Sequence, residues 1–152
     1  MLPHVASDLG VRIERLLEGA GIVGQDVPWD DRVVARAQVC ALLRGLARAS
    51  GDAQVGFRLG PAAEAERLGL SGDALFAGAT LRDCLALHAA HMPDLQRGVA
   101  IGLDERGGRA HWVHRMRKSD PEAAGHLTEG IAAFVVGAIR AILGEPEAKL
   151  PA

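Results

Sequence analysis

Aromatic residues are scarce in this sequence of 152 residues, which contains two tryptophans, three phenylalanines and no tyrosine. Asparagine and glutamine are also few. A carbohydrate site usually combines aromatic platforms with several polar side chains, so this composition disfavours a sugar as the bound molecule.

Cysteine is almost as rare, since the chain contains only Cys40 and Cys84. Both fall in segments with helical periodicity and apolar neighbours, which predicts buried thiols in a reducing compartment and no disulfide bridge. A disulfide bridge is not needed for stability, because a chain of this length can bury roughly 70% of the surface that its unfolded form exposes.

Strong charge of either sign is missing as well. The formal net charge is −2, and the arginines are scattered among acidic residues. Without a basic stripe to neutralise phosphates, the chain by itself is not expected to bind DNA. The N-terminus has no basic start followed by an apolar run, and the apolar stretch Ile131–Ile139 is too short to cross a bilayer, so we expect a cytoplasmic protein without a membrane segment.

The stretch from residue 69 to 117 is the most informative part of the sequence. Thr80 and Asp83 have the spacing of a capping box, which predicts the start of a helix that ends at Pro93. Beyond it, residues 99–117 alternate apolar and polar residues around a glycine pair, the pattern of a β-hairpin. We therefore predict a single α+β domain over residues 1–152, mostly helical with a small antiparallel sheet formed by the hairpin 99–117.

Helical periodicity accounts for most of the remaining chain. A first helix is expected to end at residues 19–21, and a second to run from Arg32 to about Ala49 after the acidic pair at 30–31. A last helix is predicted from a cap at 119–122 to Gly144. Its apolar stripe is wider than one packed layer needs, which makes it a candidate dimer surface with four proposed members: Leu127, Ile131, Phe134 and Val136.

Three short motifs in this order resemble one known family. They are SGD at 50–52 with GFRLG at 56–60, then GLSGDAL at 69–75, then ATL at 79–81 with LAL at 85–87. Together with the hairpin and the long apolar helix after it, they resemble the N-terminal, arabinose-binding-like sensor domain of AraC-type bacterial transcription regulators. Asp73 departs from the family pattern, which more often has an aromatic residue there, as does the histidine-rich end of the helix at 88–91.

The resemblance implies a function. It predicts a domain that senses an unidentified small-molecule effector and forms a homodimer, and that modulates DNA binding by a C-terminal helix-turn-helix domain. That C-terminal domain is expected in the full-length protein and is absent from these 152 residues.

The residues themselves suggest where an effector would bind. One face of the second hairpin strand, with Trp112 and His114, should meet the helix face of Cys84 and His88. A helix layer against a curved hairpin can leave an apolar cavity with a few polar groups, and the alternative is that these side chains simply fill the core. The expected pocket residues are Phe76, Cys84, His88, Trp112, His114 and Met116.

Two other classes of function stay open at this point. A metal-dependent enzyme could use His88, His91 and His114 as three nitrogen ligands, although no HExxH motif or placed base accompanies them. A purely structural dimerisation module would need no ligand. No nucleophile motif is found, so we expect a non-enzymatic domain without catalytic residues, metal or cofactor.

Overall fold

The computed structural model describes residues 2–22, 33–61, 63–116 and 124–144. These residues form an α+β fold that is mostly helical and has one antiparallel pair of strands, as the sequence predicts. In chain order the elements are α1 (Leu2–Asp8), α2 (Ile13–Gly19), α3 (Arg36–Ser50), α4 (Val55–Leu59), a 3₁₀ helix (Ala65–Leu68), α5 (Leu70–Ala74), α6 (Leu81–Leu95), β1 (Val99–Arg106), β2 (Arg109–Met116) and α7 (Gly125–Leu143).

The chain divides into two compact units. The first unit comprises residues 1–63 and 120–137, and the second comprises residues 64–119 and 138–152. Helix α7 therefore contributes residues to both units. The candidate pocket residues all belong to the second unit, and the candidate dimer residues all belong to the first.

The first unit is built around a core supplied by α1 to α4. Leu46 of α3 and Val55 of α4 are fully buried within it. Helix α1 was not foreseen, yet Leu2, Val5 and Ala6 are all buried and belong to this core. Their spacing places them on one helix face, so the packing of this face stabilises a helix of only seven residues.

Helix α3 begins at Arg36, which corrects the predicted start at Arg32. Residues 33–35 are not helical, and the acidic pair expected to start the helix lies outside the described residues. The backbone N–H of Ala35 donates to the side-chain oxygen of Gln38 at 2.9 Å, and the Gln38 amide donates to the carbonyl of Gly21 at 2.8 Å. Gln38 thus fixes the start of α3 against the loop after α2.

Two glycines let α4 approach α7 at backbone distance. A Cβ atom on Gly56 would lie 2.2 Å from the carbonyl oxygen of His126, and one on Gly60 would lie 2.3 Å from the Cβ of Ala133. Both distances are shorter than any real contact of a Cβ atom. The two helices can pack this closely only because these positions carry no side chain.

Asp52 organises the turn between α3 and α4. Its carboxylate accepts hydrogen bonds from the backbone N–H of Gln54 at 2.7 Å and from the side chain of Arg58. The hydrogen bond from Arg58 holds the pKa of Asp52 below its usual value.

The pKa of the Cys40 thiol in α3 is raised, because the thiol is buried. Both cysteines are free and buried, as predicted.

The hairpin of the second unit confirms the prediction from sequence. β1 and β2 pair in antiparallel register, with Arg106 opposite Arg109. Between them, Gly107 and Gly108 adopt φ values of 58° and 74°. A two-residue turn with two positive φ angles matches the twist of the strands, and glycine adopts this conformation without steric cost.

Helix α6 begins with the predicted capping box. The backbone N–H of Asp83 donates to Thr80 Oγ1 at 3.2 Å, and the backbone N–H of Thr80 donates to the Asp83 carboxylate at 3.1 Å. The predicted end at Pro93 is wrong, because α6 continues to Leu95. Proline removes one donor in the last turn, but the N–H of Gln96 still bonds to the carbonyl of Met92 at 2.9 Å and closes the helix.

Thr80 should therefore contribute measurably to stability. We expect Thr80→Ala to lower the free energy of unfolding by about 1 kcal/mol, because it leaves an N–H donor of α6 without its cap. Urea denaturation followed by circular dichroism measures this. Thr80→Ser keeps the hydroxyl and is the matched control, expected to stay close to the parent. Equal loss in both variants would show that the methyl group, not the cap, matters.

Helix α7 is the most apolar element of the described chain. It ends at Leu143, and Gly144, which was predicted to stop it, follows with a φ of 70°. The predicted cap at 119–122 lies outside the described residues. By length and composition alone α7 could cross a membrane, which is weak evidence because core helices of soluble proteins pass the same test. Its close approach to α4 through Gly56 and Gly60 is an interaction within the protein.

Candidate functional site

A buried histidine and serine join α5 to α6 in the second unit. Ser71 is 1% exposed and His88 is 2% exposed. His88 Nδ1 lies 2.7 Å from the carbonyl oxygen of Ser71. A carbonyl only accepts, so this nitrogen carries the hydrogen and donates it. The Ser71 hydroxyl lies 3.0 Å from the same nitrogen and donates to the His88 carbonyl at 3.3 Å. The imidazole ring is consequently held in one orientation.

Trp112 of β2 lies beside this fixed imidazole. The centroids of the two rings are 6.0 Å apart and their planes are inclined by 33°. This contact confirms that the hairpin face with Trp112 meets the α6 face with His88. Cys84, one turn before His88, is also buried, and its thiol donates to the carbonyl of Gly78 at 3.5 Å. These residues form what we call the His88–Trp112 cluster: Ser71, Cys84, His88 and Trp112.

The remaining predicted pocket residues differ in position. His114 and Met116 are half-buried and follow Trp112 at alternate positions of β2, so they share its face. They are paired with Ile101 and Val99 of β1. Phe76 is 52% exposed, so its ring lies at the surface and does not form part of an enclosed site. Its position at the end of α5, next to a loop, explains this exposure.

The indole N–H of Trp112 has an unusual environment. Nε1 is shielded from solvent, and no described residue accepts a hydrogen bond from it. An indole nitrogen can only donate, and a buried donor without an acceptor costs about 1–3 kcal/mol. Buried polar groups are normally paired, so this donor marks a place where an acceptor is missing.

The histidines do not assemble into a metal site within the described part of the chain. The Nδ1 of His88 is engaged by Ser71, whereas the His91 side chain is 41% exposed and its Nδ1 lies 3.7 Å from the Asp94 carboxylate. Among the residues described, no group of three or more histidine, cysteine or acidic side chains could hold a metal ion. The geometry therefore offers no support for the metal-dependent alternative.

Of the four proposed dimer residues on α7, Leu127, Ile131 and Phe134 share one face by their spacing of four and three residues, and Val136 does not. Leu127 packs against the core of the first unit, and the backbone of Phe134 approaches Gly60. Val136 follows Leu127 by nine residues, which places it half a turn round the helix. Ala132 and Val136 lie on that opposite side, where Ala132 is exposed and Val136 half-buried.

Ser71 is the member of the cluster that reasoning from sequence missed. It is separated from His88 by seventeen residues, so their contact depends on how α5 packs on α6. The adjacent Gly72 is a signal of a different contact, since it permits the close approach of Ala65 in the 3₁₀ helix.

A buried cluster of few polar groups that includes one unpaired donor is an arrangement typical of a ligand-binding domain. Comparison with known families agrees. Residues 10–150 match the family described as the arabinose-binding domain of AraC transcription regulators, at their N-terminus. The chain therefore belongs to this family, which consists of ligand-binding domains of regulators and is not an enzyme family. A search of curated proteins found no match.

Proposed function

We propose that this chain is the effector-sensing and dimerisation domain of a cytoplasmic bacterial AraC-type regulator. A small molecule binds at the His88–Trp112 cluster in the second unit, and the Ala132–Val136 face of α7 contacts a second copy. A C-terminal helix-turn-helix domain of the full-length protein binds DNA. An effector can shift such a regulator only if it binds one arrangement more tightly than another.

The family match over residues 10–150 is the observation that carries this proposal. The charge of the chain is consistent with it, because a net charge of −2 does not suit direct binding to DNA. Membership of this family does not identify the ligand of this chain. Arabinose, which the family description names, would bring several hydroxyl groups, whereas the cluster presents one unpaired donor.

The first test is to read the native gene beyond the codon for Ala152. Two helix-turn-helix units there would support the regulator, and the full-length protein would then be assayed for DNA binding with and without candidate effectors. A gene without them would contradict the proposal. A structural dimerisation module is distinguished by ligand screening, because such a module would dimerise while no small molecule raised its melting temperature.

Dimerisation through α7 is tested by Ala132→Lys. We expect a dimer for the parent chain and at least a tenfold rise in its dissociation constant for the variant, because an unpaired ammonium group would be buried at the contact. Analytical ultracentrifugation measures both. Ala49→Lys makes the same change at an exposed position of α3 and is expected to stay dimeric. A monomeric parent at high concentration, or a dimer unaffected by Ala132→Lys, would overturn this surface.

A further inference from the structure

The unpaired indole N–H of Trp112 gives the cluster a preference for ligands that carry a hydrogen-bond acceptor. Its ring is fixed from one side by His88, which is itself held by two hydrogen-bonding groups of Ser71. The donor is thus pre-organised, and an acceptor that reaches it does not have to order the side chains that hold it. Pre-organised donors of this kind set the orientation and specificity of a ligand in a mostly apolar site.

A water molecule satisfies this donor poorly. Buried waters typically make about three hydrogen bonds, and at least two, to polar groups around them. The structure shows one unpaired buried side-chain donor among the described residues, while Ser71 and His88 bond to each other and the Cys84 thiol bonds to the Gly78 carbonyl. A carbonyl oxygen needs no donor of its own, so it satisfies the indole N–H without leaving a further polar atom unpaired.

The charge of the surroundings favours a neutral acceptor over a carboxylate. Every arginine between residues 64 and 116 is exposed. The ion pairs described for this stretch, such as Arg82 with Glu105 and Arg106 with Asp104, lie at the surface. A carboxylate brought to the buried donor would lose its hydration, and none of the arginines between residues 64 and 116 is buried beside it, so the cost of its desolvation exceeds the free energy of the hydrogen bond.

We propose that Trp112 Nε1–H is the recognition donor for a neutral, largely apolar small molecule with a carbonyl oxygen, bound beside the ring of His88. This inference rests on the proposed function, because it specifies the class of effector that the sensing domain takes. It excludes a free sugar and a carboxylic acid as the preferred ligand.

The test uses the whole chain with Trp29→Phe, which leaves Trp112 as the single tryptophan. The indole N–H then gives one resonance in a ¹H–¹⁵N spectrum. The probes are acetophenone and ethylbenzene, which share a phenyl ring and chain length and differ in the carbonyl oxygen. Arabinose and benzoate are added as a sugar and a carboxylate.

We expect acetophenone to move the Trp112 indole proton downfield and to bind at least tenfold more tightly than ethylbenzene, as one hydrogen bond allows. Arabinose and benzoate should leave the resonance unchanged. Equal binding of the two phenyl probes, or an indole resonance that no probe moves, would overturn the inference. Trp112→Phe keeps an aromatic ring but removes the donor, so it should bind both phenyl probes alike if it stays folded by circular dichroism.

The test of the Trp112 donor and the test of the proposed function can have different outcomes. If acetophenone binds preferentially at Trp112 while the gene encodes no helix-turn-helix region, the inference about Trp112 is supported and the proposed regulator function is contradicted. If the gene encodes a regulator whose effector lacks a carbonyl group and does not move the Trp112 indole resonance, the proposed function is supported and this inference is contradicted.

Discussion

Replacing Gly72 by alanine should be among the most damaging single substitutions in the second unit. The added Cβ would lie 1.7 Å from the carbonyl oxygen of Ala65 and 2.7 Å from its carbonyl carbon. These are backbone atoms, so no rotation of a side chain relieves the overlap, and α5 must move away from the 3₁₀ helix. We expect a loss of about 3 kcal/mol in the free energy of unfolding, at the upper end of overpacking effects.

A shift of α5 would also affect the site, because Ser71 is the neighbour of Gly72 and holds His88. Thermal unfolding should show a fall in melting temperature of roughly 6–12 °C. Gly102→Ala is the control, since its Cβ meets nothing within 4 Å and its φ is not positive. We expect it to stay within about 0.5–1 kcal/mol of the parent. Similar values for the two variants would contradict the described contact between α5 and the 3₁₀ helix.

Gly56→Ala should have a comparable effect on the first unit. Its Cβ would lie 2.2 Å from the His126 carbonyl oxygen and 2.6 Å from the Cβ of Glu129. Helix α4 must separate from α7 to accommodate the methyl group, and buried Leu59 would lose packing as it does so. We expect a loss of about 2–3 kcal/mol, measured by urea denaturation.

Gly137→Ala is the matched control on α7. Gly137 is exposed, and an added Cβ there meets no atom within 4 Å. Since alanine is the better helix former, this variant should gain about 0.5–1 kcal/mol. The two substitutions are chemically identical and are expected to change stability in opposite directions. A gain for Gly56→Ala would show that α4 and α7 do not pack as described.

The elements that were predicted well are those decided by neighbours in sequence. Thr80 and Asp83 are three residues apart, and their reciprocal hydrogen bonds form whatever the rest of the chain does. The same holds for Gly107 and Gly108, whose positive φ angles fix the hairpin and its register. Local chemistry of this kind is visible in a single sequence.

The errors arise where tertiary packing outweighs local preference. Helix α1 is too short to be stable alone and exists because Val5 and Ala6 are buried in the first-unit core. Helix α6 passes Pro93 because its last turn retains the bond from Gln96 to Met92. Neither outcome could be derived from propensity.

The candidate site likewise combines features that were predicted from the sequence with features that depend on tertiary packing. The alternation of β2 correctly placed Trp112 towards the helix, and the prediction that it faces His88 is confirmed by the contact between their rings. The role of Ser71 and the unpaired state of the Trp112 donor depend on three-dimensional distances between separate elements. Periodicity indicates which face a residue occupies but not which atoms it meets there.

The division of the chain into two units has a consequence for biosynthesis. The first unit takes residues 1–63 from one end of the sequence and residues 120–137 from beyond the second unit's main segment. On the ribosome α1 to α4 can pack their own core, but Gly56 and Gly60 meet α7 only after nearly 60 further residues are made, roughly 3–12 s at usual elongation rates. Residues 64–119, which include His88 and Trp112, emerge in that interval, before α7 can pack against α4.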